Sequence, residues 1–225
     1  MAASVSFVIP TLNEAAHIEA LLARLRVRFA EAELLVVDGG STDDTAALAR
    51  HQGARVLSSA PGRALQMNMG GEAASGDTVF FLHADSFPTV DADTLEAYLA
   101  DAPQWGFCPV RLSADALAYR VIEWFINRRS ALTQVATGDQ MLFIRRDLFT
   151  RTGGFEALPL MEDVAYSKRL RQIATPLILS EPVHTSSRRW EQQGVVRTVL
   201  QMWGLRLAYW CGVSPARLQR HYYGS

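Results

Sequence analysis

Acidic side chains recur in this chain directly after apolar runs, at positions where they could meet a ligand. Residues 5–9 run into Pro10-Thr11-Leu12-Asn13-Glu14, and residues 34–37 into Asp38-Gly39-Gly40-Ser41-Thr42-Asp43-Asp44-Thr45. In a parallel α/β sheet both turns lie at the carboxyl ends of strands, where open sheets bind ligands. Asp38 can accept hydrogen bonds from a base or ribose there, and Gly39-Gly40 lets the backbone approach a ligand closely. The alternative duty, capping the next helix, is already supplied by Ser41-Thr42-Asp43. Residues 78–82 end in His83-Ala84-Asp85. Asp85 is placed either to begin a turn or to hold Mg²⁺ or Mn²⁺ against a diphosphate. Glu162-Asp163 opens a helical stretch, as acids do in a first turn, and Arg188-Arg189 offers guanidinium forks that suit phosphate oxygens.

The elements that must position these residues alternate regularly at first. Strands over 5–9, 34–37, 54–57 and 78–82 are separated by helices over 15–29, 42–51 and 63–74. Short connections and βαβ alternation predict a doubly wound, mostly parallel sheet with helices on both faces. Further on, the pattern predicts helices over 94–99, 114–129 and 164–172, and strands over 106–112, 140–144 and 177–179. An apolar helix over 195–211 and a short basic-aromatic tail end the chain. The simplest organisation is one α/β domain over 1–190 and a C-terminal helical extension over 191–225, packed on that domain or on a partner.

Bulk properties narrow the classes. With 225 residues, 49% of them hydrophobic, the chain has ample material for one large core. A net charge of −1 carries no footprint for nucleic acid. Cys108 and Cys211 lack metal-like spacing and read as buried free thiols, which suits a reducing cytoplasm. The first residues show neither a signal-peptide pattern nor, anywhere along the chain, a run long enough to span a membrane. The expected location is the cytoplasm, with the inner face of the membrane as a peripheral variant.

Pro10-Thr11-x-Asn13-Glu14, the Asp38–Thr45 motif, His83-Ala84-Asp85 and Glu162-Asp163, in that order, closely resemble the family 2 glycosyltransferases. The resemblance covers about residues 4–190. Thr137-Gly138-Asp139-Gln140, Gly153-Gly154-Phe155, Met161-Glu162-Asp163 and Ser186-Ser187-Arg188-Arg189-Trp190 further resemble a bacterial subgroup of radical-SAM/selenodomain-associated transferases. The resemblance implies the GT-A fold and an inverting transfer from a UDP- or GDP-linked sugar to an acceptor hydroxyl, with a divalent cation, Mn²⁺ or Mg²⁺, as cofactor. Pro10, Thr11 and Glu14 would line the nucleotide pocket, with Asp38 on the base or ribose. Arg63, Gln66 and Asn68 match a basic loop near the nucleotide. Asp85 matches the last Asp of the family's Asp-x-Asp metal motif. His83 replaces the first; an imidazole suits Mn²⁺ better than Mg²⁺ and could instead bond ribose or phosphate.

By the same resemblance Asp163 is the general base that deprotonates the acceptor, and Glu162 positions it or the donor sugar. Adjacent carboxylates at a helix start point about 100° apart, so only one can face the reacting centre. Asp139 and Gln140 would touch the donor sugar or the acceptor, Arg188 and Arg189 the leaving diphosphate, and His184 would be a late metal ligand. The C-terminal stripe Val196, Val199, Leu200, Trp203, Leu207 and Trp210 reads as a packing face, on the domain or in a homodimer. With Arg197, Arg206, Arg217 and Arg220 nearby, a membrane-surface role with a lipid-linked acceptor is its other use. Two rival functions fit parts of the pattern. A sugar nucleotidyltransferase should carry a Gly-rich basic loop after its first strand, where this chain has Pro10–Glu14. A degenerate transferase fold acting as a binding or scaffold module is suggested by His83. The acceptor is not specified by any motif.

Overall fold

The computed structural model describes residues 4–223, the side chains of Arg189, Gln193, Val196, Tyr222 and Tyr223 excepted. The first half follows the strand-helix alternation: β1 (Val5–Thr11), α1 (Ala15–Arg28), β2 (Glu33–Asp38), α2 (Thr45–His51), β3 (Arg55–Ser58), α3 (Arg63–Ala73) and β4 (Thr78–Phe81). β1 pairs in parallel with β2 on one side and β4 on the other. Its side chains alternate between two apolar layers, so both faces of the sheet are covered. Phe7 and Ile9 join Ile18, Leu22 and Leu25 of α1, while Val8 joins Ala64 and Met67 of α3.

The second half completes that sheet and adds a smaller one. Its elements are β5 (Ser86–Pro88), α4 (Ala92–Leu99), β6 (Trp105–Phe107), β7 (Val110–Leu112), α5 (Leu117–Thr133), β8 (Phe143–Arg145), α6 (Arg146–Thr152) and α7 (Glu162–Leu170). β9 (Leu177–Ile178), β10 (Val183–Thr185), α8 (Arg188–Gln193), α9 (Val195–Trp210) and α10 (Pro215–Tyr223) follow. The large sheet runs β3-β2-β1-β4-β8-β6-β9, and β5-β10-β7 form the small one. β8 is antiparallel to both neighbours, the others in the large sheet being parallel. Strand order reverses between β1 and β4, which makes the gap beyond their carboxyl ends the expected ligand crevice.

Several expected elements differ. The strand over 106–112 is two strands broken at Cys108-Pro109. Pro109 has no N–H for a ladder, and the Cys108 amide donates instead to the Gln140 carbonyl at 2.8 Å. The strand over 140–144 begins only at Phe143, because Gly138–Gln140 is a 3₁₀ turn closed by a reciprocal Thr137–Gln140 capping box. The helix over 114–129 runs instead over Leu117–Thr133. Asn127 holds both the amide and carbonyl of Val110, and Glu123 accepts from the Leu112 amide at 2.6 Å, so α5 docks along β7. Part of the basic-aromatic tail is α10, opened by Pro215 at its first position. Cys108 is buried as expected, and its thiol is pushed up by that burial; Cys211, in contrast, is exposed.

Candidate active site

A cleft of about 970 Å³ opens at the β1/β4 switch point. Its walls come from the turns after β1 and β4, the start of α3, the segment 157–162, the small sheet, and the C-terminal helices α8 to α10.

The first two turns hold each other in place. Thr11 pairs with Asp38 across β1 and β2. Asn13, in the left-handed region at φ 56, donates its amide to Ser41 Oγ, and its side-chain carbonyl accepts from the Thr42 amide. The Glu14 amide donates to Thr45 Oγ1, and the Ala15 amide to Asp43. Buried Gln66 splits its Nε2 between the carbonyls of Thr11 and Val37, each at 2.8 Å. Its side chain lies 3.0 Å from where a Cβ on Gly39 would be, so a side chain at that position would crowd it. Much of both motifs is therefore spent on backbone. Pro10, Thr11 and Glu14 line the cleft.

Asp38 lies differently from the expectation. It is buried and outside the cleft lining, and its carboxylate accepts from the amides of Gly40 and Ser41 and from Ser41 Oγ. The helix cap reserved for Ser41-Thr42-Asp43 is not made by Ser41 or Thr42; Asp43 takes the Thr45 amide, with Asp44 at the N-cap position.

Asp85 enters the cleft from the β4 side, with Ser86 Oγ 3.4 Å from its carboxylate. Glu14 faces it from the β1 side. Burial raises the Glu14 carboxyl above its ordinary value, and the Asp85 charge raises it further, with His17, Arg188 and His83 pulling the other way. His83 also lines the cleft, but its Nδ1 lies 3.4 Å from Asp139 and its buried Nε2 has no partner. A Cβ on Gly138 would stand 2.8 Å from that Nε2, so the ring packs edge-on to the turn and not toward Asp85.

Arg63 opens α3 and reaches Glu162 at 3.7 Å. Glu162 is buried against the cleft, its carboxyl raised by burial and then by the Asp163 charge, with Arg63 and His83 offsetting part of this. Asp163 is outside the lining but next to it. It accepts from the Gly138 amide, which lies against His83 and Arg63, and its charge is felt by Glu162, by Arg129 of α5 and by Tyr209 of α9. Arg188, at the start of α8, lines the cleft and contacts His17 Nε2 at 3.1 Å. The Arg189 side chain is outside the described residues.

Asn68, Gln140 and His184 are placed outside the cleft lining, whereas Asp139 stays at its edge. Asn68 clamps the amide and carbonyl of Phe155, both at 2.8 Å, which steadies the segment leading to the cleft wall. Gln140 is buried and bonded to Ser130, Thr137 and Cys108. Asp139 is exposed at the cleft edge, facing His83. His184 is exposed on β10, whereas its neighbour Thr185 is buried against the cleft, because successive strand residues face opposite ways. Missed entirely were Thr185, Thr198, Met202 and Gln219, which line the cleft from β10, α9 and α10. No sequence pattern singles them out, since distant segments bring them together.

The donor set at the switch point suits a hard divalent cation only in combination with ligand oxygens. Among the described residues no three His, Cys, Asp or Glu side chains converge tightly enough to hold a metal alone. Asp85 and Glu14 supply two carboxylates whose mutual repulsion a cation would relieve. One or two carboxylates plus substrate phosphates is how Mg²⁺ is commonly held.

Residues 6–116 match the family described as "Glycosyl transferase family 2". A 45-residue stretch is 53% identical to the succinoglycan biosynthesis protein ExoA of Rhizobium meliloti (strain 1021), covering 19% of this chain and 14% of that one. A 93-residue stretch is 38% identical to the glucosyl-3-phosphoglycerate synthase of Mycobacterium tuberculosis (strain H37Rv), covering 36% and 29%. The chain thus spans under a third of either curated relative. Among solved structures, S. aureus TarS 1–349 with UDP superposes at TM-score 0.64 and 19% identity, over 81% of this chain and 60% of that one. The mannosyltransferase PcManGT of Pyrobaculum calidifontis, with GDP-Man and Mn²⁺, gives 0.63 and 22% over 92% and 61%. The chain has the GT-A fold of these structures, and its residues 6–116 are similar to glycosyl transferase family 2.

Proposed function

We propose that this protein is an inverting glycosyltransferase that moves a sugar from a UDP- or GDP-linked donor to an acceptor hydroxyl. The observation that carries the reading is the convergence of Glu14, Asp85, Arg63, Glu162 and Arg188 on one cleft at the β1/β4 switch point. Neighbours of this fold were solved with UDP or with GDP-Man and Mn²⁺, and the same crevice is where open sheets take nucleotides. The motifs at 137–140 and 186–190 resemble those of the radical-SAM/selenodomain-associated transferases and support that narrower grouping.

In this reading the turn after β1, braced by the Asp38–Thr45 turn, receives the nucleoside. Asp38 acts by shaping its turn, since its oxygens are committed to Gly40 and Ser41. Asp85, with Glu14, would hold a divalent cation, which when bound neutralises charge on the diphosphate. Arg188 reaches the same charge through its guanidinium fork, and His17 keeps that fork in place. Arg63 and Glu162, already paired, face the donor sugar. Asp163 takes the acceptor proton. As it does, the acceptor oxygen bonds to the anomeric carbon, and the carbon–phosphate-oxygen bond breaks on the opposite face. That electron pair leaves on the diphosphate, and attack from the far side inverts the centre. The anchoring of Asp163 by the Gly138 amide fixes the carboxylate while leaving lone pairs for the proton.

A panel of UDP- and GDP-linked sugars, each with and without Mn²⁺, tests the assignment by turnover and by nucleotide binding. We expect one donor class to bind in a Mn²⁺-dependent way and to turn over. Asp163→Asn should lower kcat by about 10²-fold or more, the scale of a lost general base, with donor binding nearly intact. Glu162→Gln should act chiefly on donor KM. Nucleotide binding without turnover of any donor would favour a scaffold. Loss of kcat in Glu162→Gln alone would move the base to Glu162.

A further inference from the structure

Two helices beside the cleft each expose an apolar stripe opposite the face they bury. On α5 the stripe is Leu117, Val121, Trp124, Phe125 and Leu132, with Trp124 and Phe125 in edge contact at 4.9 Å, while Tyr119 and Ile122 are buried behind it. On α9 it is Leu200, Trp203, Leu207 and Trp210, with Thr198 and Leu205 buried behind. Trp203 is 64% exposed and Trp210 78%, so neither indole is covered by the fold. The helices share one small apolar cluster, in which Tyr119 and Ile122 of α5 meet Val195 and Val199 of α9. Large apolar patches bare on a protein surface mark an interaction site.

Charge selects the partner. No Asp or Glu follows Glu191, whereas Arg197, Arg206, Arg217 and Arg220 lie on α9 and α10, and Arg128 stands in the α5 stripe. A second copy of the chain would set arginine against arginine across a two-fold axis, which opposes association. An anionic bilayer satisfies both terms. Tryptophan and leucine enter the headgroup boundary while arginine remains at the phosphates. Among the described residues no helix is long and apolar enough to cross a membrane, so contact would be made by helices lying in the interface.

We propose that the exposed faces of α5 and α9, with the arginines of α9 and α10, seat this protein on an anionic lipid surface. α9 then has two working sides, since its residues Thr198 and Met202 line the cleft. The helix resting on lipid is also a wall of the site. The inference is independent of the proposed reaction, because it is read without donor or turnover.

Flotation of the full chain with phosphatidylglycerol/phosphatidylcholine vesicles, against phosphatidylcholine alone, provides the test. The protein should float with the anionic vesicles, be released by high salt, and show a blue shift of tryptophan emission on binding. Trp203→Glu with Leu207→Glu should weaken binding by about tenfold or more. Circular dichroism checks that this variant folds. Arg217→Gln with Arg220→Gln weakens the electrostatic component without touching the apolar stripe, and should reduce anionic binding alone. No flotation, or equal flotation with neutral vesicles, would overturn the proposal. So would a concentration-dependent dimer in sedimentation that Trp203→Glu with Leu207→Glu disperses, for the face would then belong to a second copy.

Discussion

Glu162 is a carboxylate that folding penalises. Burial and the neighbouring Asp163 charge raise it above its ordinary 4.5, and Arg63 offsets this only in part. A group raised in this way binds its proton more tightly folded than unfolded. The stability it contributes is fully present below 4.5 and is lost as pH rises through its folded value. We therefore expect Glu162→Gln to melt higher than wild type at neutral pH and to lose that advantage as pH drops below the ordinary carboxylate value. Melting curves across pH check this. A variant less stable than wild type at neutral pH would mean the Arg63 pair outweighs the burial. A site residue that costs stability is what a function–stability trade-off looks like at one position. At this scale the sequence was legible in residue type and not in duty. Asp38 and Asp85 both follow apolar strands, yet one bonds its own turn and the other enters the cleft. Whether a carboxylate serves its local amides or a ligand depends on side-chain direction, which spacing does not encode.

Among the elements, α3 is the one whose placement carries most of the donor side. It lies close over β1 because Gly70 has no side chain. A Cβ there would come within 2.3 Å of Val8 Cγ1 and 3.0 Å of Val37 Cγ2. Gly70→Ala should lift the helix and cost about 1–3 kcal/mol by overpacking. Because Arg63, Gln66 and Asn68 ride on α3, donor binding should weaken as well. Gly204 makes the contrast. It sits inside α9 with nothing within 4 Å of its would-be Cβ, so Gly204→Ala should stabilise the helix by about 0.5–1 kcal/mol. Denaturant melts of both variants compare the two signs directly. The first seven elements are readable because apolar strand runs alternate with helix-period stretches across short connections. β5, β10, α6 and α8 were not. The three-residue strands β5 and β10 exist only through pairing with each other and with β7, far away in sequence, and pairing of that kind leaves no local period to detect.

For the whole molecule, the C-terminal helices are the least expected contributors. The domain boundary read near residue 190 treats them as an extension, but α9 and α10 supply Thr198, Met202 and Gln219 to the cleft. Removing residues 195–225 should leave the large sheet and nucleotide binding within about threefold of wild type, since the sheet carries its own two-layer core. Transfer to acceptor should be lost, with hydrolysis of the donor as the residual activity. Donor binding measured beside transfer and hydrolysis separates these effects. Loss of nucleotide binding would show that the extension belongs to the donor site. Unfolding of the truncated chain would show that Tyr119 and Ile122 need α9 to cover them.

Apolar periodicity and strand-end motifs were enough to establish the fold class and the carboxyl-end edge of the sheet as the ligand side. Element type depends on period within a few residues, and right-handed βαβ crossovers bring successive strand ends to one edge. Tertiary structure alone decided which side chains reach that crevice. It turned Asp38 and Gln140 onto backbone and their own neighbours, pointed His184 to solvent, and packed His83 against Gly138 instead of Asp85. It also gave the two carboxylates at the start of α7 different partners, Glu162 in the cleft lining with Arg63 and Asp163 on the Gly138 amide. The reason is physical. Element type follows from composition and period along a few residues, whereas the direction of a side chain is set by what distant segments pack around it.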